Sequence, residues 1–196
     1  MNKTTQSYWE NCYKTDEIGW DIGYVSPPVK SYFEQLEDKE TEILLPGAGN
    51  AYEADYLYQI GFKNLTIVDI ASQPLINIRK RNKDFPEEKL LQTDFFNLNR
   101  KYDLIIELIF FCALHPSQRV SYVEKMYQLL KPGGKIIGLL FDFPLTDQGP
   151  PYGGSKDEYF NLFTDLFKIR TLETCYNSIK PRKGRELFII FEKKNY

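Results

Sequence analysis

The 196-residue sequence predicts an α/β protein: a seven-stranded, mostly parallel sheet with helices on both faces and an antiparallel hairpin at its C-terminal edge. Three observations carry this. Short apolar runs alternate with amphipathic stretches through the middle of the chain, as strands buried between helical layers do. The first run meets a Gly-x-Gly turn and leads through a helical segment to a second run closing on an aspartate, "EILLPGAGNAYEADYLYQIGFKNLTIVDI" over 42–70. The last two β-like runs have no helix between them, so they should pair antiparallel.

In chain order the strand candidates are 42–46, 65–70, 89–94, 102–108 and 135–141, with helical patterns near 52–60, 72–83 and 117–130 between them. In "LLKPGGKII", Pro132 stops the helix and the two glycines turn the chain into the next strand. A helix near 156–166 precedes the runs "FKIRTLETCY" and "ELFIIFEKK", which are joined by the turn-prone "NSIKPRKGR". Five parallel strands followed by a hairpin edge describe the sheet of a class I methyltransferase. No repeat or flexible linker interrupts the chain, which reads as one domain over 1–196 with an N-terminal extension over 1–40.

The net charge of -2 argues against nucleic-acid binding through phosphate contacts. Three well-separated cysteines (Cys12, Cys112, Cys175) form neither a disulfide framework nor a metal-ligand spacing, so no metal is expected. Free thiols, a polar start "MNKTTQSYWEN" and the lack of a long apolar run make a cytoplasmic protein without membrane attachment the expectation. No protein partner is evident. With 14 Tyr, 14 Phe and 2 Trp, the chain can line a pocket with aromatic rings, or simply build a bulky core.

The glycine turn discriminates between nucleotides. Gly47 and Gly49 allow a tight turn with close backbone approach to a ligand, but Tyr52 stands where a dinucleotide fold has its third glycine. Glu53 puts a carboxylate in the first helical turn, which would repel a pyrophosphate and tolerate a cation. S-adenosyl-L-methionine has no phosphate and carries a sulfonium and an ammonium. Asp69, 20 residues beyond Gly49 at the end of the second strand, is placed to accept hydrogen bonds from two ribose hydroxyls, or to cap the helix beginning near Ser72. Asp94 can accept from an adenine amino group while Phe95 packs on the ring; capping a turn explains Asp94 equally well.

Taken in order, "YWENCYKTDEIGWDIG", "LLPGAGNAYEA", "VDIA", "TDFF", "YDLIIELIFFCALHPSQR", "LLKPGGKI", "GPPYGGS" and "RKGRE" resemble the thiopurine methyltransferase superfamily, and more closely its thiol/halide methyltransferases. The likeness covers nearly the whole chain and implies a Rossmann-like class I fold with S-adenosyl-L-methionine as cofactor. It assigns cofactor contact to Trp9, Tyr13 and Trp20 in an extension that forms a lid, and to Gly47, Asp69, Asp94 and Phe95; Tyr13 stands where the plant relatives have tryptophan, which keeps an aromatic face, and Gly49 is a cofactor contact from the turn itself. Relatives read Asp-Tyr where this chain has Glu107-Leu108, and their tyrosine approaches the cofactor. Glu107 is therefore expected at the cofactor, with Leu108 leaving the tyrosine's role unfilled or filled from elsewhere. Tyr152 matches a position facing the methyl acceptor and is the expected catalytic residue. Its "GPPY" follows strand five and so is not the Pro-Pro-Tyr box of methyltransferases that act on base amino groups, which follows strand four.

The implied reaction is in-line displacement at a sulfonium methyl by a small soft nucleophile: a thiol, thiocyanate, a halide or a selenium or tellurium compound. Such nucleophiles need no strong base. The chain has one histidine, His115, which reads as a turn residue beside Pro116, and no obvious base–nucleophile pair. Trp9, Trp20, Phe110, Phe111, Phe143 and Tyr152 are pocket candidates, each also readable as core or lid. Arg182, Lys183 and Arg185 form a basic turn that reads first as solvated. Competing readings are transfer to a small N- or O-nucleophile, a dinucleotide oxidoreductase, and a non-catalytic binder of the cofactor.

Overall fold

The computed structural model describes residues 5–195; the expectations for 1–4 and Tyr196 lie outside the described residues. The strands are β1 (Ile43–Pro46), β2 (Leu65–Asp69), β3 (Leu90–Gln92), β4 (Tyr102–Leu108), β5 (Leu130–Phe141), β6 (Phe167–Thr174) and β7 (Glu186–Lys193). They form one sheet in the order β3-β2-β1-β4-β5-β7-β6. β1 to β5 run parallel, while β7 lies antiparallel between β5 and β6. This is the class I methyltransferase sheet, and the C-terminal pair sits at the edge as expected.

The strands read as continuous apolar runs because both faces are covered. Ile43, Leu45, Leu104 and Ile106 point into one core, with Val29 and Phe33 of α2 (Pro27–Phe33), Ala54 and Leu57 of α3 (Tyr52–Gln59) and Ile78 of α4 (Ser72–Arg81). Leu44, Ile105 and Ile136 point into the other, with Met126 of α5 (Arg119–Leu129) and Phe163 of α6 (Lys156–Phe163). Cys112, also in this core, is fully buried.

Two boundaries differ from expectation. β5 starts at Leu130 rather than 135, because Leu130 pairs with Tyr102 before residues 131–134 loop out and Lys135 rejoins opposite Leu104. Gly133 takes φ +72° in that excursion, so the glycines do turn the chain, but inside a strand. The N-terminal extension is not uniform either. α1 (Gln6–Lys14), N-capped by Thr5, and the loop to Ser26 lie over the sheet's carboxyl end, whereas α2 belongs to the core.

Candidate active site

The carboxyl ends of β1, β2 and β4 open into a cavity of about 640 Å³, where parallel α/β sheets place their ligands. Gly47 (φ +56°), Gly49 (φ +54°) and Ala51 (φ +47°) all adopt left-handed backbone between β1 and α3. At Gly47 glycine is required twice over, since a Cβ there would lie 2.1 Å from Cδ2 of Phe110.

Asp69 closes β2 and is almost wholly buried. Its Oδ1 accepts from the Ala71 N–H at 2.9 Å and its Oδ2 from the Gly49 N–H at 3.4 Å. It therefore steadies both the glycine turn and the start of α4. Desolvation outweighs these bonds and pushes its pKa up to about 6. Asp69 is not the cap of α4, whose N-cap position is Ala71 with no side-chain cap; Ser72, its first residue, donates its N–H to Glu10 of α1 at 2.8 Å. Asp94 caps the short 3-10 turn Phe95–Asn97 by accepting from Phe96 N–H at 2.9 Å, and still borders the cavity beside Phe95.

The N-terminal segment supplies aromatic rings. Trp20 meets Trp9 edge-on at 5.5 Å between centroids and Tyr13 at 5.8 Å, and all three line the cavity. Burial, with the Asp69 charge next in size, holds the Tyr13 phenol well above its ordinary pKa. Glu53 does more than favour its helix. Its Oε1 accepts the Ser26 N–H at 2.8 Å, tying this segment to the glycine loop, and burial raises its pKa. Asp21 adds a second tie that sequence reasoning missed, accepting from the Asn50 side chain and, at 3.5 Å, from the Tyr52 hydroxyl. Nothing in the spacing of Asp21 from Asn50 and Tyr52 signals this contact.

Three other expectations change. Glu107 is fully buried behind the wall, with its carboxylate accepting from Tyr122 and from the Phe111 N–H at 3.0 Å. Tyr152 is buried and is not among the wall residues, although Pro150 and Pro151 before it are. Its N–H donates to the Cys112 carbonyl at 2.7 Å and its ring stands edge-on to His115 at 5.7 Å. Phe111 and Phe143 are not on the wall, although Phe110 is. His115 is the turn residue expected, capping the 3-10 turn Pro116–Gln118.

Arg182 moves the other way. Its side chain is only 19% exposed, lines the cavity, and donates to the Trp20 carbonyl at 2.7 Å, with Glu186 3.5 Å away. Among the described residues on the wall it is the one cation, against the carboxylates of Glu17, Asp21, Glu53, Asp69 and Asp94. Asp21, Glu53 and Asp69 bond the glycine turn or stand beside it, and the cation nearest to that turn, Arg81, is engaged by Asp55 at 2.6 Å and by the Asn50 carbonyl. The donor set fits a phosphate-free nucleoside carrying positive charge.

A family model described as Thiopurine S-methyltransferase matches residues 4–195. The chain belongs to that family. It is an S-adenosyl-L-methionine-dependent S-methyltransferase. Among its relatives, it is 29% identical to probable thiol methyltransferase 2 of Arabidopsis thaliana, over 95% of this chain and 84% of the relative. It is 29% identical to thiocyanate methyltransferase 1 of Brassica oleracea, over 91% of this chain and 81% of the relative. It is 24% identical to thiopurine S-methyltransferase of Vibrio vulnificus, over 96% and 95%. Among solved structures, an N-methyltransferase from Bradyrhizobium japonicum in complex with S-adenosyl-L-homocysteine shares the fold (TM-score 0.72, 17% identity, covering 99% of this chain and 100% of that one). A Burkholderia thailandensis N1-methyltransferase does too (TM-score 0.74, 18% identity, covering 97% and 87%). Among the described residues no helix is long and apolar enough to cross a membrane.

Proposed function

We propose that this methyltransferase acts on a small sulfur nucleophile that is anionic when it reacts, with halide and selenium or tellurium anions as chemical analogues. The observation that carries the reading is Arg182, ion-paired to Glu186 at 3.5 Å and the one cation among described wall residues that include Leu108, Leu139, Phe141 and Phe110. A guanidinium so placed draws an anion into a mostly apolar chamber and holds it there.

When bound, the donor supplies a methyl group on a sulfonium. Asp69 is the acceptor for its ribose hydroxyls, Asp94 and Phe95 flank its base, and Gly47 and Gly49 let the backbone approach it. Trp9, Tyr13 and Trp20 cover it, so the segment from α1 to Ser26 acts as the lid. The apolar wall excludes water from the anion, and shedding that hydration favours a transition state in which charge is being lost. The wall and Arg182 together hold the nucleophile in line. No base is needed for an acceptor already ionised. Tyr152 supports the Pro150–Pro151 wall from behind. Free, buried cysteines suit a cytoplasmic enzyme, and the acidic cavity suits neither nucleic acid nor a phosphate-bearing partner.

The test is S-adenosyl-L-homocysteine production, measured by mass spectrometry with thiols, hydrogen sulfide, thiocyanate, iodide, a selenol and an aromatic thiol. Turnover that is fastest with acceptors ionised at the assay pH supports the reading. Turnover confined to amines or alcohols overturns it.

A further inference from the structure

The resemblance puts Glu107 at the cofactor, but the structure gives that carboxyl other neighbours. We propose that Glu107 is a positioning residue that aims Phe110 at the junction between donor and acceptor. This rests on the methyl-transfer reading above and adds to it a residue that touches neither reactant.

β4 ends at Leu108, and Ile109 then takes φ +65°. A β-branched residue rarely enters that left-handed region, and such a turn persists only where its surroundings hold it. Glu107 is the holder. After the turn the chain doubles back so that Phe111 donates its N–H to Glu107 Oε1 at 3.0 Å, with the Phe110 N–H also directed at this carboxyl. The Tyr122 hydroxyl of α5 donates to Oε2. The carboxyl has no exposure to solvent, so these groups are its partners. Desolvation is the largest influence on it and raises its pKa to about 7, while the hydrogen bonds act the other way.

The clamp reaches the cavity through Ile109 and Phe110, both on the wall although Glu107 is not. The Phe110 ring sits directly on Gly47. It meets Phe95 edge-on at 5.4 Å and Tyr122 at 6.1 Å. Tyr122 thus contacts the ring and also bonds the carboxyl that sets the ring's backbone. One side chain, Phe110, touches the glycine turn and the base-side phenylalanine and lines the cavity, and Glu107 fixes its pose.

The test is a double-mutant cycle between Glu107→Ala and Phe110→Ala, assayed with thiocyanate and with benzenethiol. S-adenosyl-L-homocysteine affinity is measured alongside by calorimetry. Glu107→Ala should lower kcat about tenfold or more, the scale of a misplaced reacting group, and change S-adenosyl-L-homocysteine affinity far less. It should add little to Phe110→Ala, because both act through the same ring. Glu107→Gln, which keeps an acceptor oxygen, should recover most of the rate. Fully additive losses, or an unchanged kcat in Glu107→Ala, overturn the proposal. Should Glu107→Ala not fold, Tyr122→Phe replaces it in the cycle, and a loss that adds fully to that of Phe110→Ala counts against the proposal equally. Amide exchange at Phe110 and Phe111 separates this from the functional reading. If the wild type turns over no acceptor, the functional reading has failed, yet faster exchange in the Glu107 variant still shows the clamp; unchanged exchange refutes it.

Discussion

The two halves of the cavity are built in opposite ways. The donor half comes largely from one unbroken stretch, β1 through the glycine turn and α3 to Asp69 at the end of β2, and it works through backbone geometry and buried carboxylates. The proposed acceptor half is assembled from pieces far apart in the chain: Tyr8, the Leu108–Phe110 turn, Pro150 and Pro151, and Arg182. It works through apolar surface and one cation. The contrast shows which half tolerates change. Backbone geometry allows almost no substitution, whereas an apolar wall can be resized while the anion contact stays.

The largest effect should fall on the donor half. Gly47→Val combines left-handed strain with a collision against Phe110 and should weaken S-adenosyl-L-homocysteine binding by about 2–4 kcal/mol in calorimetry. Near-normal affinity would mean the turn is as adaptable as the acceptor wall. Asp69→Ala should cost about 1.5–3 kcal/mol of the same affinity, and an unchanged value would remove Asp69 from the donor site.

Asp69 should also reveal itself without ligand. Its folded pKa of about 6 exceeds the ordinary 3.8, so its contribution to stability is fully present below about pH 4 and is lost as pH rises through 6. Asp69→Asn should therefore stabilise the unliganded protein more at pH 7.5 than at pH 4, by an amount on the order of 2 kcal/mol in denaturant unfolding. An equal difference at both pH values would contradict the burial argument.

On the acceptor half, Arg182→Leu should raise KM for thiocyanate by about fivefold, roughly 1 kcal/mol for a partly exposed charge, and raise it less for a neutral thiol. Equal changes for both would divorce Arg182 from anion recognition. The smallest effect is expected at its exposed neighbour. Lys183→Ala should leave KM and stability within about 0.5 kcal/mol, and a loss matching that of Arg182 would make the basic turn act as a diffuse charge.

This difference between the halves also governs what the sequence discloses. The sheet, its order of strands and helices, and the edge hairpin follow from periodicity and turn residues, which are local. Gly47, Gly49 and Asp69 are legible for the same reason, since one βαβ unit carries them. The Asp21–Asn50 tie and the place of Arg182 are not, because the long-range packing that brings them to the cavity leaves no mark on spacing. Arg182 looks like its exposed neighbours Lys183 and Arg185 in a basic turn. Glu107 and Tyr152 mislead differently: each stands beside wall residues in sequence, and in each case the chain turns so that the neighbours (Leu108, Ile109 and Phe110; Pro150 and Pro151) face the cavity instead. A strand end specifies which residues are near a site, while a single left-handed residue such as Ile109 decides which of them face it.

The bond from Arg182 to the Trp20 carbonyl spans nearly the whole chain. It has a consequence for how the enzyme comes into being. Synthesis delivers the aromatic segment first, the glycine turn and Asp69 next, and Arg182 with β7 near the end. β7 must then enter the sheet between β5 and β6, both already made. A growing chain can thus possess every element of the donor half while it still lacks the cation of the acceptor half. On the role proposed for Arg182, capture of an anionic acceptor is the last property the chain acquires, and a product truncated before residue 182 carries the glycine turn and Asp69 without that guanidinium.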